Sequence, residues 1–192
     1  MKAKFCRRLF LVGLIVMVSA FSSNAVFAAD DIKVGAIFDL TGGLNIYGIQ
    51  QSRALHLAVD DINANGGLLG RNIKIIESDS QSELSKYTQY ANTLILRDQI
   101  EVLFAGLTSS SREALRPIVR KKKIPYFYSS LYEGGACDKQ TFLTGATASQ
   151  QMSVLIKWAI KEYGPKIYIM APSYNRGGSQ NSDSALRCKA EH

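Results

Sequence analysis

The chain has 192 residues, 46% of them hydrophobic and 20% charged, which is long enough to bury one sizeable core and too apolar for a disordered tail protein. Its formal charge of +7 shrinks on inspection, because Lys2, Lys4, Arg7 and Arg8 precede Ala29 and no acid does; the remainder carries only +3, which removes the support for a nucleic-acid partner. Three cysteines and two histidines, His56 and His192, show no metal-ligand spacing, so neither a zinc framework nor any other metal site is expected.

In chain order, the basic start is followed by LFLVGLIVMVSAF, with Val26 and Ala28 at the small-residue positions of a cleavage site. Residues 1–28 therefore read as a secretory signal peptide, the apolar run being shorter than the ~20 residues that span a bilayer. Cys6 lies upstream of that run and is not placed like a lipid-anchored cysteine at a cleavage site. The mature chain, from Ala29, is expected to be soluble and exported. An oxidising compartment permits a bridge between Cys137 and Cys188, which sequence alone does not establish.

Strand-like runs IKVGAIF, IKIIES, EVLFAG, IPYFY and KIYIMA then alternate with segments whose apolar residues recur at helical spacing. Leu55, Ala58, Val59 and Ile62 form one stripe, and Tyr87, Tyr90, Ala91, Leu94 and Ile95 the next. Leu115, Ile118 and Val119 form a third, weakened by Pro117; Met152, Leu155, Ile156, Ala159, Ile160 and Tyr163 form the clearest. Asn65, Gly66 and Gly67 are placed to stop the first helix, and Gly164 with Pro165 the last. The run Arg120–Lys123 falls at a helix end, where cations meet the negative pole of the dipole and face solvent. The pattern βαβαβαβ over residues 31–171 implies an α/β fold: a doubly wound parallel sheet with helices on both faces, since its near-continuous apolar strands need cover on both sides.

Ligands of such sheets sit outside the carboxyl ends of the strands. Three strand-end loops are rich in hydroxyls and aromatics: Thr41, Gly42, Gly43 and Tyr47 after the first strand; Thr108, Ser109, Ser110 and Ser111 before Arg112 after the third; Tyr128, Ser129, Ser130, Tyr132 and Glu133 after the fourth. Any one of them is explained by caps and turns. Their convergence points to a small polar ligand held by a few placed hydrogen-bonding groups. No catalytic residues are assigned: no G-x-S-x-G elbow, P-loop or G-x-G-x-x-G follows a strand, and no serine has a paired histidine. Asp39, Asp79 and Glu133 fit capping and solvation better than acid–base work.

LTGG…YG, a helix, then DINANGGLLGRNIKI closely resembles the first lobe of periplasmic solute-binding proteins of the branched-chain amino acid, urea and short-chain amide uptake type. The resemblance covers about residues 31 to 175 and implies the type 1 periplasmic-binding fold. FAGLTSSSR is similar to the family's strand-three signature, which implies that Ser109, with Ser110 beside it, hydrogen-bonds the ligand. YFYSSLYEGG is similar to the YxxxYEG element of the urea and amide branch, implying that Tyr128 packs beside the ligand and Ser130 donates a hydroxyl; Ser129, Ser130 and Leu131 depart from what a urea binder would carry. The SYN element implies that Tyr174 reaches the ligand near a hinge, and Thr41 and Tyr47 complete the ligand-binding set.

What the resemblance implies is an extracytoplasmic, periplasmic solute receptor without cofactor. It would capture urea, a short amide or an amino acid and present it to an ABC permease in the inner membrane. Family members continue from a SYN-like segment into a second lobe, whereas from Arg176 this chain reads RGGSQNSDSALRCKAEH, with no apolar period. The second lobe is thus expected to be missing, with residues 29–175 forming the N-terminal ligand-binding lobe and 176–192 a disordered tail or the product of a break in the coding frame near Asn175. An exported ligand-sensing domain of the same fold and a non-functional fragment stand as alternatives.

Overall fold

A computed structural model describes residues 30–134, 136–166 and 168. Five strands form one parallel sheet in the order β2-β1-β3-β4-β5: β1 (Ile32–Phe38), β2 (Ile73–Asp79), β3 (Val102–Ala105), β4 (Tyr126–Tyr128) and β5 (Thr141–Leu143). Four helices connect or follow them: α1 (Asn45–Ala64), α2 (Leu84–Leu96), α3 (Ser109–Lys122) and α4 (Ala148–Tyr163). The α/β reading of the sequence thus holds. It misses β5, a three-residue strand whose Thr-Phe-Leu is too short to carry a period. That strand forms because Tyr126, Phe127 and Tyr128 of β4 offer an otherwise open edge, with which Thr141, Phe142 and Leu143 pair in register. The expected strand KIYIMA falls almost wholly outside the described residues, as do the signal peptide, Tyr174, Cys188 and the tail.

One face of the sheet is closed. Ile37, Leu103, Ala105, Tyr126 and Tyr128 point toward α2 and α3, where Tyr87, Ala91, Leu94, Leu115 and Val119 complete a core with exposures of 0 to 3%. Each buried leucine, isoleucine or valine among them contributes about 1.5–3 kcal/mol by leaving water. Gly35 lets the segment after α2 come close, since a Cβ there would meet the Ile100 side chain at 2.5 Å.

The opposite face also carries a helix, as expected, but among the described residues it is closed only in part. α1 covers β1 and β2, while Phe104, Phe127 and Phe142 stack in register across β3, β4 and β5, their ring centroids 4.9 and 5.0 Å apart. That spacing is the inter-strand distance itself. Between these rings and α1 lies an apolar groove of about 530 Å³, floored by Val34, Phe38 and Phe104 and walled by Leu55, Ala58 and Ile62. Helix α4 does not fill it: no residue of α4 is buried, and its stripe of Met152, Leu155, Ile156, Ile160 and Tyr163 stays 41 to 77% exposed.

Helix ends follow the sequence signals. Asn65 caps α1 with Gly66 and Gly67 at positive φ behind it, and Gly164 ends α4 at φ 89°. Arg120, Lys121 and Lys122 form the last turn of α3, with Lys123 left-handed beyond it.

Candidate functional site

The chain leaves β1 for β2 on one side and reaches β3 on the other, so a crevice opens at the carboxyl ends of β1 and β3, where ligands of open α/β sheets bind. The loop after β1 is fixed by Asp79. Its Oδ1 accepts from the backbone N–H groups of Leu40, Thr41 and Gln81 at 2.9 to 3.1 Å, and its Oδ2 accepts from the Thr41 hydroxyl at 2.6 Å. Burial opposes the charge on Asp79, but these four donors win and hold its carboxyl below the usual range. Thr41, one of the expected ligand residues, thus spends its proton on this clamp. Tyr47, in the first turn of α1, is 58% exposed. Gly48 allows the helix to touch the end of β1, since a Cβ there would collide with the Asp39 carbonyl. Asp39 itself is buried rather than solvated, and its carboxylate accepts from the Ser80 and Tyr87 hydroxyls.

After β3, α3 opens with a capping box in which Thr108 and Ser111 bond reciprocally. This sets Ser109 at the first helical position, 4% exposed, with Ser110 half-buried next to it. Ser109 Oγ donates to Glu133 Oε2 at 2.9 Å. One turn on, Arg112 makes a two-pronged bond to the same carboxylate, Nη1 to Oε2 at 3.1 Å and Nη2 to Oε1 at 2.6 Å, while its Nε donates to Glu113 at 3.0 Å. The guanidinium carbon lies 5.1 Å from the Tyr128 ring centre and 5.3 Å from that of Tyr132, within the range of cation–π attraction. Burial works against ionisation of Glu133, yet the Arg112 and Ser109 hydrogen bonds outweigh it and bring its pKa down to about 2. Burial likewise opposes the charge on Arg112, and Glu133 and Glu113 override it upward. Both groups are charged at neutral pH.

Tyr128 is fully buried; its hydroxyl donates to the Leu107 carbonyl at 2.7 Å and its ring carries Arg112. Ser130 is half-buried in the same loop, where its carbonyl sits so close against Gly145 that any Cβ there would collide with it. Tyr132 pairs with Thr147 in a parallel bridge. The structure thus gathers Ser109, Ser110, Tyr128 and Ser130 at the ends of β3 and β4, and sets Thr41 and Tyr47 across the crevice after β1.

Two further groups escaped the sequence reading. Gln51 of α1 donates to the Gly106 carbonyl at 3.4 Å, tying the first helix to the loop after β3. Arg112, Arg116 and Arg120 stand at i, i+4 and i+8 on α3 and hold the loop after β4: Arg112 on Glu133, Arg116 on the Cys137 carbonyl, Arg120 on Asp138. That spacing was legible as one helix face; its acidic partners were not. Cys137 is disulfide-bonded.

A family model described as periplasmic binding protein matches residues 31–192. Among curated relatives, a Leu/Ile/Val-binding protein homolog 8 of Brucella suis is 27% identical over an alignment of 162 residues that covers 81% of this chain and 39% of the relative. The chain therefore spans about two-fifths of that relative's length. A branched-chain amino acid transporter substrate binding protein, LivJ, of Streptococcus pneumoniae, solved in complex with isoleucine, aligns over 69% of this chain and 38% of its own at 25% identity and a TM-score of 0.64. A solute binding protein of an ABC transporter from Rhodopseudomonas palustris, solved with 3,4-dihydroxy benzoic acid, shares the fold at 22% identity and a TM-score of 0.66 over 84% of this chain and 43% of its own. With a match that spans most of its length and a sheet of the same architecture, the chain belongs to the periplasmic binding protein family.

Proposed function

We propose that this chain is the N-terminal lobe of an extracytoplasmic, periplasmic solute-binding component of an ABC uptake system, and that it binds urea, a short-chain amide or an amino acid at the crevice between the β1, β3 and β4 loops. The observation that carries the reading is the meeting of Ser109, Arg112, Tyr128, Tyr132 and Glu133 at the carboxyl ends of β3 and β4, beside the switch point of the sheet. The relatives support it: one is named for leucine, isoleucine and valine, and solved neighbours hold isoleucine and an aromatic acid on one architecture. Ligand choice then lies in the loops rather than in the sheet. Ser109, Ser110 and Ser130 supply the polar contacts in this proposal; Tyr128, Tyr47 and Thr41 shape the walls, and Tyr174, expected to reach the ligand near a hinge, lies outside the described residues. The partner is an ABC permease in the inner membrane, and no nucleic acid is involved.

Calorimetry on an intact homologue carrying the same three loops tests the reading. Binding of amides, urea or branched-chain amino acids, with sugars silent, is the expected result. Tight sugar binding with no response to amides would overturn it. In that protein Ser109→Ala is expected to weaken binding by about 1–3 kcal/mol, the penalty for leaving a buried polar partner unmade.

A further inference from the structure

Arg112 is the cation that a carboxylate ligand would seek at this end of the sheet, and it is already taken. Two of its nitrogens donate to Glu133 and Nε donates to Glu113. The rings of Tyr128 and Tyr132 pack against the guanidinium. Its side chain is 3% exposed, whereas that of Glu133 is 21% exposed. The hydroxyl of Ser109 has a single proton to give, and Glu133 accepts it. A carboxylate belonging to the chain thus occupies the position between a serine hydroxyl and a guanidinium where a carboxylate ligand would otherwise be held.

We infer that Glu133 is a specificity-determining residue of this site: it takes the Ser109 proton and the Arg112 cation for itself and leaves a partly exposed negative charge at the site, selecting neutral N–H-rich groups such as carboxamides and ureas against carboxylates. The inference rests on the proposed solute site between these loops. A carboxylate arriving here loses its hydration, meets a like charge and finds these donors spent, a combination that leaves it uncompensated. A carboxamide of the same shape carries no charge to be repelled and brings two N–H donors toward a partly exposed carboxylate.

Acetamide and acetate are matched probes, differing only in this group. Their dissociation constants are measured on the purified chain by ¹H–¹⁵N NMR titration, wild type beside Glu133→Gln, with urea and leucine as controls. The expected result is acetamide preferred over acetate by at least about tenfold in the wild type, a gap of ~1.4 kcal/mol, with that ratio falling severalfold in E133Q. Equal affinities in the wild type, or an unchanged ratio in E133Q, would overturn the role of Glu133 while leaving the solute site standing if urea or leucine binds. If all four ligands leave the spectrum unmoved, the solute-site reading itself fails and takes this inference with it. Should E133Q not fold, the wild-type spectrum decides: acetamide has to shift the Ser109 and Glu133 amide resonances more than acetate does, and the reverse order sinks the proposal.

Discussion

Glu133 and Arg112 form the pair on which the site's loops depend, and their charge states set a pH response. The folded pKa of Glu133 lies at about 2, below its ordinary value of 4.5. A depressed carboxyl contributes stability that is fully present above the unfolded value and is lost as pH falls through the folded one. Thermal unfolding followed between pH 5 and pH 2 is therefore expected to show a falling midpoint in the wild type and a flatter profile in Glu133→Gln; parallel profiles would mean that the pair is not coupled to folding. Glu133→Ala goes further, because it strips a buried cation of its main partner. A loss of about 3 kcal/mol is expected in guanidinium unfolding, at the low end for such a cut because Glu113 still accepts from Arg112 Nε. Asp79 is the second residue whose removal has a named consequence. In Asp79→Ala the N–H groups of Leu40, Thr41 and Gln81 lose their acceptor, and faster hydrogen exchange at those amides, with a cost of about 1–3 kcal/mol, is the expected outcome.

Among the elements, helices α3 and α4 differ in what they pack against. Leu115 in α3 is 0% exposed and sits within the closed core, so Leu115→Ala is expected to destabilise by about 2–5 kcal/mol. Leu155 and Ile156 in α4 are 50 and 43% exposed, so Leu155→Lys is expected to stay within about 0.5 kcal/mol of the wild type. A large loss on Leu155→Lys would mean that α4 docks on a surface in solution. The three arginines of α3 show how an element can serve the site without touching it. They hold Glu133, Cys137 and Asp138 along the helix, so the helix that presents Ser109 at its start also positions the residues that answer it.

At the scale of the molecule, two apolar surfaces among the described residues face water: the groove over Phe104 and the stripe of α4. Exposed patches of this kind drive association, and light scattering on the purified chain is expected to show mass rising with concentration; a monomer at every concentration would contradict it. On the proposed reading of the chain as an N-terminal lobe, it surrounds only part of a small ligand while the ligand still loses its translational freedom. Residues 29–192 are therefore expected to bind urea, short amides and branched-chain amino acids no tighter than millimolar, about 4 kcal/mol of binding energy. A micromolar constant in that titration would establish this lobe, alone or self-associated, as a competent receptor.

The periodicity of the chain determined the order of elements, because a strand of apolar residues and a helix with a stripe are local patterns. IKVGAIF became β1 over the expected residues, and the stop signals at Gly66, Gly67 and Gly164 fell where α1 and α4 end. The convergence of hydroxyls and tyrosines after three strands was legible for the same reason, since strand ends can be counted. Partnerships were not. Glu133 lies 21 residues from Arg112 and 24 from Ser109, and nothing in the spacing says that one carboxylate will take both. Strand β5 needed the open edge of β4, and the half-covered sheet face needed a count of helices on each side, which a pattern of alternating elements does not contain. Local signals set what each segment becomes; only the tertiary structure decided which side chains spend their hydrogen bonds on each other, because that depends on distances between segments that are remote in sequence.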